Sequence, residues 1–372
     1  MPKFCMDPLQ PCHPEENLGP LSPPPFAAWK EGITSRAREK RKERDRTVRV
    51  LCCGLIVCDI LIKPVSHRTL RVDTSTAESI KMSGGGDAHN VAVNLATLGV
   101  KTSLVGRIGT DEPGRWLLGG IRSSGVDASH LLLTDEATST SAVLIRENGE
   151  RNFVSCKGAC HNLAEGDIPD SILHEHDILY VGSAFDLPGL DGEGMARLFE
   201  RADRAGMQIV LDVTANPCKR NMYTLAPSLR HVDFFMPSRR EAAALSGRRN
   251  MKKAADFFHD RGPGTVAIKL GGEGSLLSHA GEKKIFPAHE TAVVDTTGAG
   301  DAFVSGFIAA HVRGFSVDDC AKIGNAAGAV CIGHMGASGM LTGFEALAGM
   351  AGLDMIRHAA NREGTQQPID GK

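Results

Sequence analysis

Aromatic polar residues are scarce in this chain: 372 residues contain two tryptophans and two tyrosines. A surface that stacks successive bases needs aromatic faces, so the composition argues against single-stranded nucleic acid as a partner. Net charge is missing too. Forty-two lysines and arginines stand against 44 aspartates and glutamates, a formal charge of −2, which gives no electrostatic case for a polyanion. No apolar run is long enough to span a bilayer, so no membrane partner is expected. No secretory segment precedes the ten cysteines, and a cytoplasmic, reducing setting is expected. Cys52, Cys53 and Cys331 lie inside apolar runs, where a thiol behaves as a small hydrophobe. Cys156-x-x-x-Cys160-His161 has no second ligand pair at metal-binding spacing and reads as structural. Finally, no Gly-x-x-x-x-Gly-Lys-Ser/Thr loop is present, which excludes a phosphate site of the P-loop kind.

Glycine, by contrast, is abundant: 42 residues, clustered at turns between apolar runs. The length suits one large α/β domain or two smaller ones. Residues 1–46 read as a disordered polar and basic extension. Pro20 and Pro23 to Pro25 are followed by a charge run from Ser35 to Arg49 that also carries Glu39, Glu43 and Asp45. Such composition cannot bury enough apolar surface to offset chain ordering. The folded domain is expected over 47–348, with a C-terminal tail over 349–372. Val48 to Ile62 reads as one buried strand of a parallel sheet. Asp59 lies near its end, either as a turn residue or as a group facing a ligand. Short one-sided strands are expected near 62–82, and a hairpin from Thr138 to Cys156 turns around Asn148-Gly149. From Ile178 onward strands and helices alternate, the mark of a parallel sheet with crossover helices.

Two glycine turns open helices. The first is Ser83-Gly84-Gly85-Gly86-Asp87-Ala88-His89-Asn90, followed by Val91, Leu95 and Leu98 on one helical face. The second is Asp295-Thr296-Thr297-Gly298-Ala299-Gly300-Asp301-Ala302-Phe303, preceded by Ala292, Val293 and Val294. The first turn of a helix has unpaired N–H groups and the positive end of the macrodipole. Gly298 and Gly300 let those donors approach an anion closely. Asp301 sits beside them. Donors for a phosphate next to a carboxylate base suit phosphoryl transfer to a hydroxyl, although an aspartate capping a buried helix is the plainer reading.

With these motifs in order and far apart, the chain from about Val48 to about Leu347 resembles the PfkB/ribokinase family of carbohydrate kinases. The resemblance rests on Asp295 to Phe303, on Gly85-Gly86-x-x-x-Asn90, and on Arg107-x-Gly109-x-Asp111-x-x-Gly114. It implies a ribokinase-like three-layer α/β/α sandwich with a mostly parallel central sheet. A small β lid would come from about 62–82 and 140–156. It implies ATP and magnesium, and potassium in activated relatives. Asp301 would be the general base, with Gly298, Ala299, Gly300 and the amide of Asp301 as the anion hole. Asp59, Gly85, Gly86 and Asn90 would hold sugar hydroxyls. Lys269, Gly271, Gly274 and Asn325 would contact the nucleotide. Glu241 would organise magnesium through water, and Asp295 and Thr297 would surround a monovalent cation. Lids of such proteins often pair into homodimers.

Two departures stand out. Ser238-Arg239-Arg240-Glu241 replaces an Asn-x-x-Glu pattern, and Lys157-Gly158-Ala159-Cys160 replaces Pro-Gly-Ala-Asn. The expected activity is transfer of the γ-phosphate of ATP to a hydroxyl of a small sugar. A nucleoside or phosphosugar kinase, or a non-catalytic sugar or nucleotide sensor on the same scaffold, are the alternatives.

Overall fold

The strand that opens the domain shows how the layers arise. In β1 (Arg49–Cys53) Val50 and Cys52 point to one side and Leu51 and Cys53 to the other, and all four are fully buried. A strand with two buried faces must lie between two layers of helices. In this computed structural model, which describes residues 47–147, 149–214 and 222–355, that is the architecture. The extension expected over 1–46 lies outside the described residues, as does the chain after residue 355.

The chain runs from β1 through β2 (Val57–Lys63), β3 (Ser79–Gly85), α1 (Asp87–Thr97), β4 (Lys101–Gly109), α2 (Glu112–Ser123) and β5 (Leu131–Thr134). It continues through β6 (Thr140–Ile145), β7 (Arg151–Cys156), α3 (Asp170–Glu175), β8 (Ile178–Ala184), α4 (Glu193–Arg204) and β9 (Gln208–Val213). Next come α5 (Met222–Leu229), β10 (Phe234–Phe235), α6 (Arg239–Ser246), α7 (Met251–His259), β11 (Thr265–Lys269), β12 (Ser275–His279) and β13 (Glu282–Phe286). The last elements are α8 (Ala299–His311), α9 (Val317–Ile332) and α10 (Phe344–Met350).

The large sheet has nine strands in the order β13-β12-β11-β10-β9-β8-β1-β4-β5. Its pairs are parallel from β11 to β5, and β12 is antiparallel to both its neighbours. One face packs on α1, α8 and α9 through Leu95, Phe303, Phe307 and Ile323; the other packs on α4 and α7 through Leu198, Phe199 and Phe258. Residues 349–355, expected to begin a tail, continue the fold instead. Gly349 and Met350 finish α10, and Leu353 and Met355 pack against the core.

The apolar run from Val48 to Ile62 is two strands rather than one. The break is at Gly54, whose φ of +147° is costly for any residue with a Cβ. A Cβ there would also stand 2.9 Å from the carbonyl oxygen of Gly182. After this turn the chain leaves the large sheet, and β2 enters a second sheet of four strands, β3-β2-β6-β7. The lid is therefore built from 57–63 and 79–85 together with 140–145 and 151–156. Asp59 lies in the middle of a lid strand, not at the carboxyl end of a central one.

Candidate active site

Gly298 starts α8 in the left-handed region, at φ +73°. A Cβ would collide with the backbone of Ala337, 2.3 Å away, so the position admits only glycine. The first-turn N–H groups of α8 have no carbonyl four residues back, and Ala299 N–H makes only a 3.4 Å contact to the Thr296 carbonyl. These donors face Lys269, the last residue of β11. Its ammonium would lie 3.3 Å from a Cβ placed on Gly300. Lys269 is paired with Asp212 at the end of β9. Burial acts to lower the Lys269 pKa, but Asp212, Glu241 and Asp301 outweigh it and the net direction is up. The expected anion hole and the expected nucleotide lysine thus share one place.

Asp301 lies in the first turn of α8, half-buried. Burial raises its pKa well above the ordinary carboxylate range, Asp87 and Asp212 push the same way, and a hydrogen bond from Asn90 with the charge of Lys269 opposes them. A carboxylate that holds a proton more tightly than usual is a better base once ionised. Asn90 Nδ2 donates to Asp301 Oδ2 at 2.8 Å. Asn90 belongs to α1, the helix opened by the first glycine turn, and α1 packs against α8. The two motifs, 211 residues apart in the chain, meet through this one hydrogen bond.

Of the residues expected on the acceptor side, Asp59 and Gly85 lie on the lid. Asp59 on β2 stands opposite Ser83 on β3 and Ser141 on β6, and Ser141 stands opposite Ser155 on β7. Paired residues share a face, so Ser83, Asp59, Ser141 and Ser155 form one polar row across the sheet. Ser141 and Ser155 join their hydroxyls at 2.7 Å. Gly85 is a glycine for space: a Cβ would fall 2.1 Å from Asp59 Oδ2. Gly86, the next residue, caps α1. Burial raises Asp59 to about 6, with Arg151 opposing. The next row along the same face is Lys81, Leu61, Val143 and Phe153, and Leu61, Val143 and Phe153 line a pocket with Asp59 and Thr297.

The remaining expected residues have quieter surroundings. Asp295 Oδ1 accepts from Thr297 N–H at 2.7 Å, and its Oδ2 accepts from Gly336 N–H at 3.0 Å. Ser238 and Glu241 form a capping box at the start of α6: Ser238 N–H donates to Glu241 Oε2 at 2.7 Å, and Ser238 Oγ accepts from Glu241 N–H at 3.3 Å. The substituted serine is thus a helix cap. Gly271 and Gly274 make the tight turn between β11 and β12. Asn325 on α9 donates its amide hydrogens to the Phe286 and Pro287 carbonyls at 2.9 and 3.1 Å. Cys160, at the other departure, is fully buried, with Ile56 N–H 3.2 Å from its sulfur.

Arg107-x-Gly109-x-Asp111-x-x-Gly114 builds the joint beneath the lid. Arg107 grips Asp167 with two hydrogen bonds of 2.8 Å. Asp111 caps α2 through Gly114 N–H and also accepts Thr138 N–H at 2.9 Å, fixing the segment that enters β6.

Three charged residues in the site escaped the sequence reading. Asp87 accepts from Ser183 Oγ at 2.8 Å, and burial raises its pKa. Asp212 is buried at a strand's carboxyl end, a position where open α/β sheets gather ligands, and that signal was available. Arg151 begins β7 and pairs with Asp295. Nothing in its local pattern distinguishes it from other charged hairpin residues.

With the geometry in place, comparison with known proteins places the chain. A model of the "pfkB family carbohydrate kinase" matches residues 48–342. The chain belongs to the pfkB family of carbohydrate kinases. This pfkB-family chain is accordingly a phosphotransferase with an alcohol group as acceptor. It is 30% identical over 300 residues to the ribokinase of Haemophilus influenzae, covering 78% of this chain and 94% of that one. Among solved structures, a ribokinase of Thermotoga maritima superposes with a TM-score of 0.70 at 26% identity, covering 82% of this chain and 99% of that one. An aminoimidazole riboside kinase of Salmonella enterica, solved with aminoimidazole riboside and an ATP analog, gives 0.68 at 25% identity with coverages of 82% and 99%. Among the described residues no helix is long and apolar enough to cross a membrane.

Proposed function

We propose that the protein transfers the γ-phosphate of ATP to a hydroxyl of a small sugar, with Asp301 as general base. The observation that carries this reading is the Asn90–Asp301 hydrogen bond of 2.8 Å, which joins the acceptor-side motif to the base at the anion-binding turn. Asp59, Asn90 and the backbone at Gly85 and Gly86 orient the sugar hydroxyls. A carboxylate accepts from hydroxyls, and an amide both accepts and donates. The Gly298, Ala299, Gly300 and Asp301 amides hold the oxygens of the transferring phosphoryl, with Lys269 adding charge beside them. Asp301 takes the acceptor proton as the hydroxyl oxygen attacks. The ATP analog in the Salmonella relative supports ATP as donor.

Magnesium fits the donor set. Glu241 and Asp212 are buried carboxylates near Lys269, and no group of three side chains among the described residues forms a complete cage. That suits an ion carried mainly by phosphate oxygens and water. When bound, magnesium neutralises phosphate charge. A monovalent cation at Asp295 and Thr297 fits poorly, because the Asp295 carboxylate already holds two backbone N–H groups and Arg151. Gly271, Gly274 and Asn325 serve the nucleotide by shaping the turn after Lys269 and the backbone at Phe286.

A nucleoside acceptor is favoured by one observation. Phe153 is 56% exposed on the cleft-facing side of the lid, beside Leu61 and Val143, and offers an apolar surface to a base. ATP turnover across a panel of sugars, phosphosugars and nucleosides decides the acceptor. Product formation with one class at micromolar to millimolar KM supports the reading; no turnover with any acceptor, with tight binding retained, favours a sensor. The outer lid face, apolar at Ile60, Ile62, Ile80, Met82 and Val154, is assigned to a second copy of this chain.

A further inference from the structure

Arg151 stands between the two halves of the site. It is on β7, opposite Ile145 on the cleft-facing side of the lid. It shares one pocket with Asp59, Thr297, Gly336 and Ala337, so its guanidinium lies between the acceptor carboxylate and the turn that opens α8. Its side chain is only 13% exposed. One terminal nitrogen pairs with Asp295, but Nε is buried with no hydrogen-bond partner. Asp295 does not depend on this pairing, because Thr297 and Gly336 N–H groups already satisfy both its oxygens. A buried guanidinium with an unpaired donor is costly unless another anion completes it.

We propose that Arg151 is a catalytic residue that clamps the transferring phosphoryl group. This rests on the kinase reading given above. The acceptor hydroxyl oxygen forms a bond to the γ-phosphorus, and the bond from that phosphorus to the β,γ-bridging oxygen breaks. The departing diphosphate keeps the electron pair, and Asp301 takes the hydroxyl proton. Charge is spread over the three equatorial oxygens during this exchange. The glycine-turn amides approach them from the large domain. Arg151 approaches from the lid, and its planar fork suits two of the oxygens at once. Since the residue sits on a lid strand, clamping also couples lid closure to chemistry, so phosphoryl transfer to water is slow while the lid is open. The pairing with Asp295 is the resting place of the charge.

The test compares wild type, Arg151→Gln, Arg151→Lys, Arg151→Ala, Asp295→Asn and Asp301→Asn with ATP and the best acceptor from the panel. Arg151→Gln is expected to lower kcat about 10³-fold, with the acceptor KM changed by no more than about threefold. Arg151→Lys recovers part of the loss, and guanidinium ion added to Arg151→Ala restores measurable turnover. Asp295→Asn changes kcat far less than Arg151→Gln. The proposal is overturned if Arg151→Gln keeps kcat within about threefold, or if its defect lies wholly in the acceptor KM. Equal defects in Arg151→Gln and Asp295→Asn would also overturn it, since Arg151 would then act only through that ion pair. Thermal melting of each variant shows whether it is folded, and guanidinium rescue separates a lost side chain from a lost fold. An inactive Asp301→Asn beside a fully active Arg151→Gln removes this proposal alone. An active Asp301→Asn removes the kinase mechanism beneath it.

Discussion

The large sheet and the lid solve the same problem, a sheet with apolar residues on it, in opposite ways. The large sheet covers both faces with helices, and in β1 all of Val50 to Cys53 are fully buried. The lid sheet is not sandwiched between helical layers among the described residues, and much of its outer face is exposed. One face carries the polar row Ser83, Asp59, Ser141 and Ser155 toward the cleft, and the other leaves Ile80, Met82 and Val154 at 67%, 44% and 63% exposure. The large domain holds the glycine turn that opens α8, with Lys269 and Asp301, the groups that on the proposed reading handle the phosphoryl group. The lid carries Asp59 and Arg151, which on the proposed reading meet the acceptor and the transferring phosphoryl group. Changes in the large domain should therefore act on chemistry and on global stability, and changes in the lid on recognition and assembly, with Arg151 as the one lid residue proposed to reach the chemistry itself.

The sharpest break of that division is Asp301→Asn. If Asp301 is the base, as proposed, its loss is expected to lower turnover about 10³- to 10⁴-fold. Stability should move the other way. The Asp301 carboxyl titrates well above its ordinary range in the fold, chiefly through burial. The folded state therefore holds this proton more tightly than the unfolded chain does. Its contribution to stability is full below the unfolded pKa of about 4, and it is lost as pH rises through the folded pKa. Asparagine bears no charge to bury. The variant should melt above wild type at pH 7 to 8, with the gap closing toward pH 4, and melting scans across that range measure it. A variant that melts lower at pH 8 would show that the carboxylate is better satisfied than its surroundings suggest.

Phe307 and Phe153 sharpen the comparison through stability alone. Phe307 is 1% exposed in the core beside Phe303 and Phe234, and Phe153 is 56% exposed on the lid. Phe307→Ala should cost about 3–5 kcal/mol in urea unfolding. Phe153→Ala should cost less than about 0.5 kcal/mol. Similar losses would mean that the lid and the large domain unfold as one equally packed unit.

Much of the large sheet was legible because burial on two faces leaves long apolar runs, and helices that pack on it carry a clear period. The two glycine turns were legible for a different reason: Gly298 and Gly86 have positive φ and sit against backbone, a local geometry that only glycine satisfies. The joint at Gly54 was not, since a strand that changes sheets keeps its apolar character on both sides of the turn. Asp59 was consequently expected near the end of a central strand, and it lies in the middle of a lid strand. Arg151 was invisible because its place in the cleft follows from lid pairing and from a contact with Asp295, 144 residues later, that no local pattern records. Asn325 and the glycines after Lys269 were found by resemblance. Their visible work is backbone support.

The smallest expected effect on the chemistry belongs to the outer face of the lid, and it tests whether that face is an interface. Ile62 pairs across β2 and β3 with Ile80, Ile60 pairs with Met82, and Val154 lies opposite Ala142. These residues lie on one face of the four-stranded mixed sheet β3-β2-β6-β7, the kind of apolar patch that a monomer seldom leaves in water. The patch is self-complementary in the sense a two-fold axis requires, since aliphatic side chains meet their own kind across it. A second copy of the chain would bury it and stiffen the lid without touching the cleft-facing row. Light scattering on the wild type is therefore expected to give twice the chain mass. Ile80→Glu with Val154→Glu would place charges in the middle of the patch, and desolvating them unpaired is costly enough to favour the monomer. Because Asp59 and Arg151 face the other way, turnover at saturating substrate should fall by no more than about fivefold, the loss appearing mainly in the acceptor KM. A monomeric wild type would remove the second copy from the picture and leave the exposed isoleucines unexplained. A dimer that persists in the double variant would place the contact on another surface.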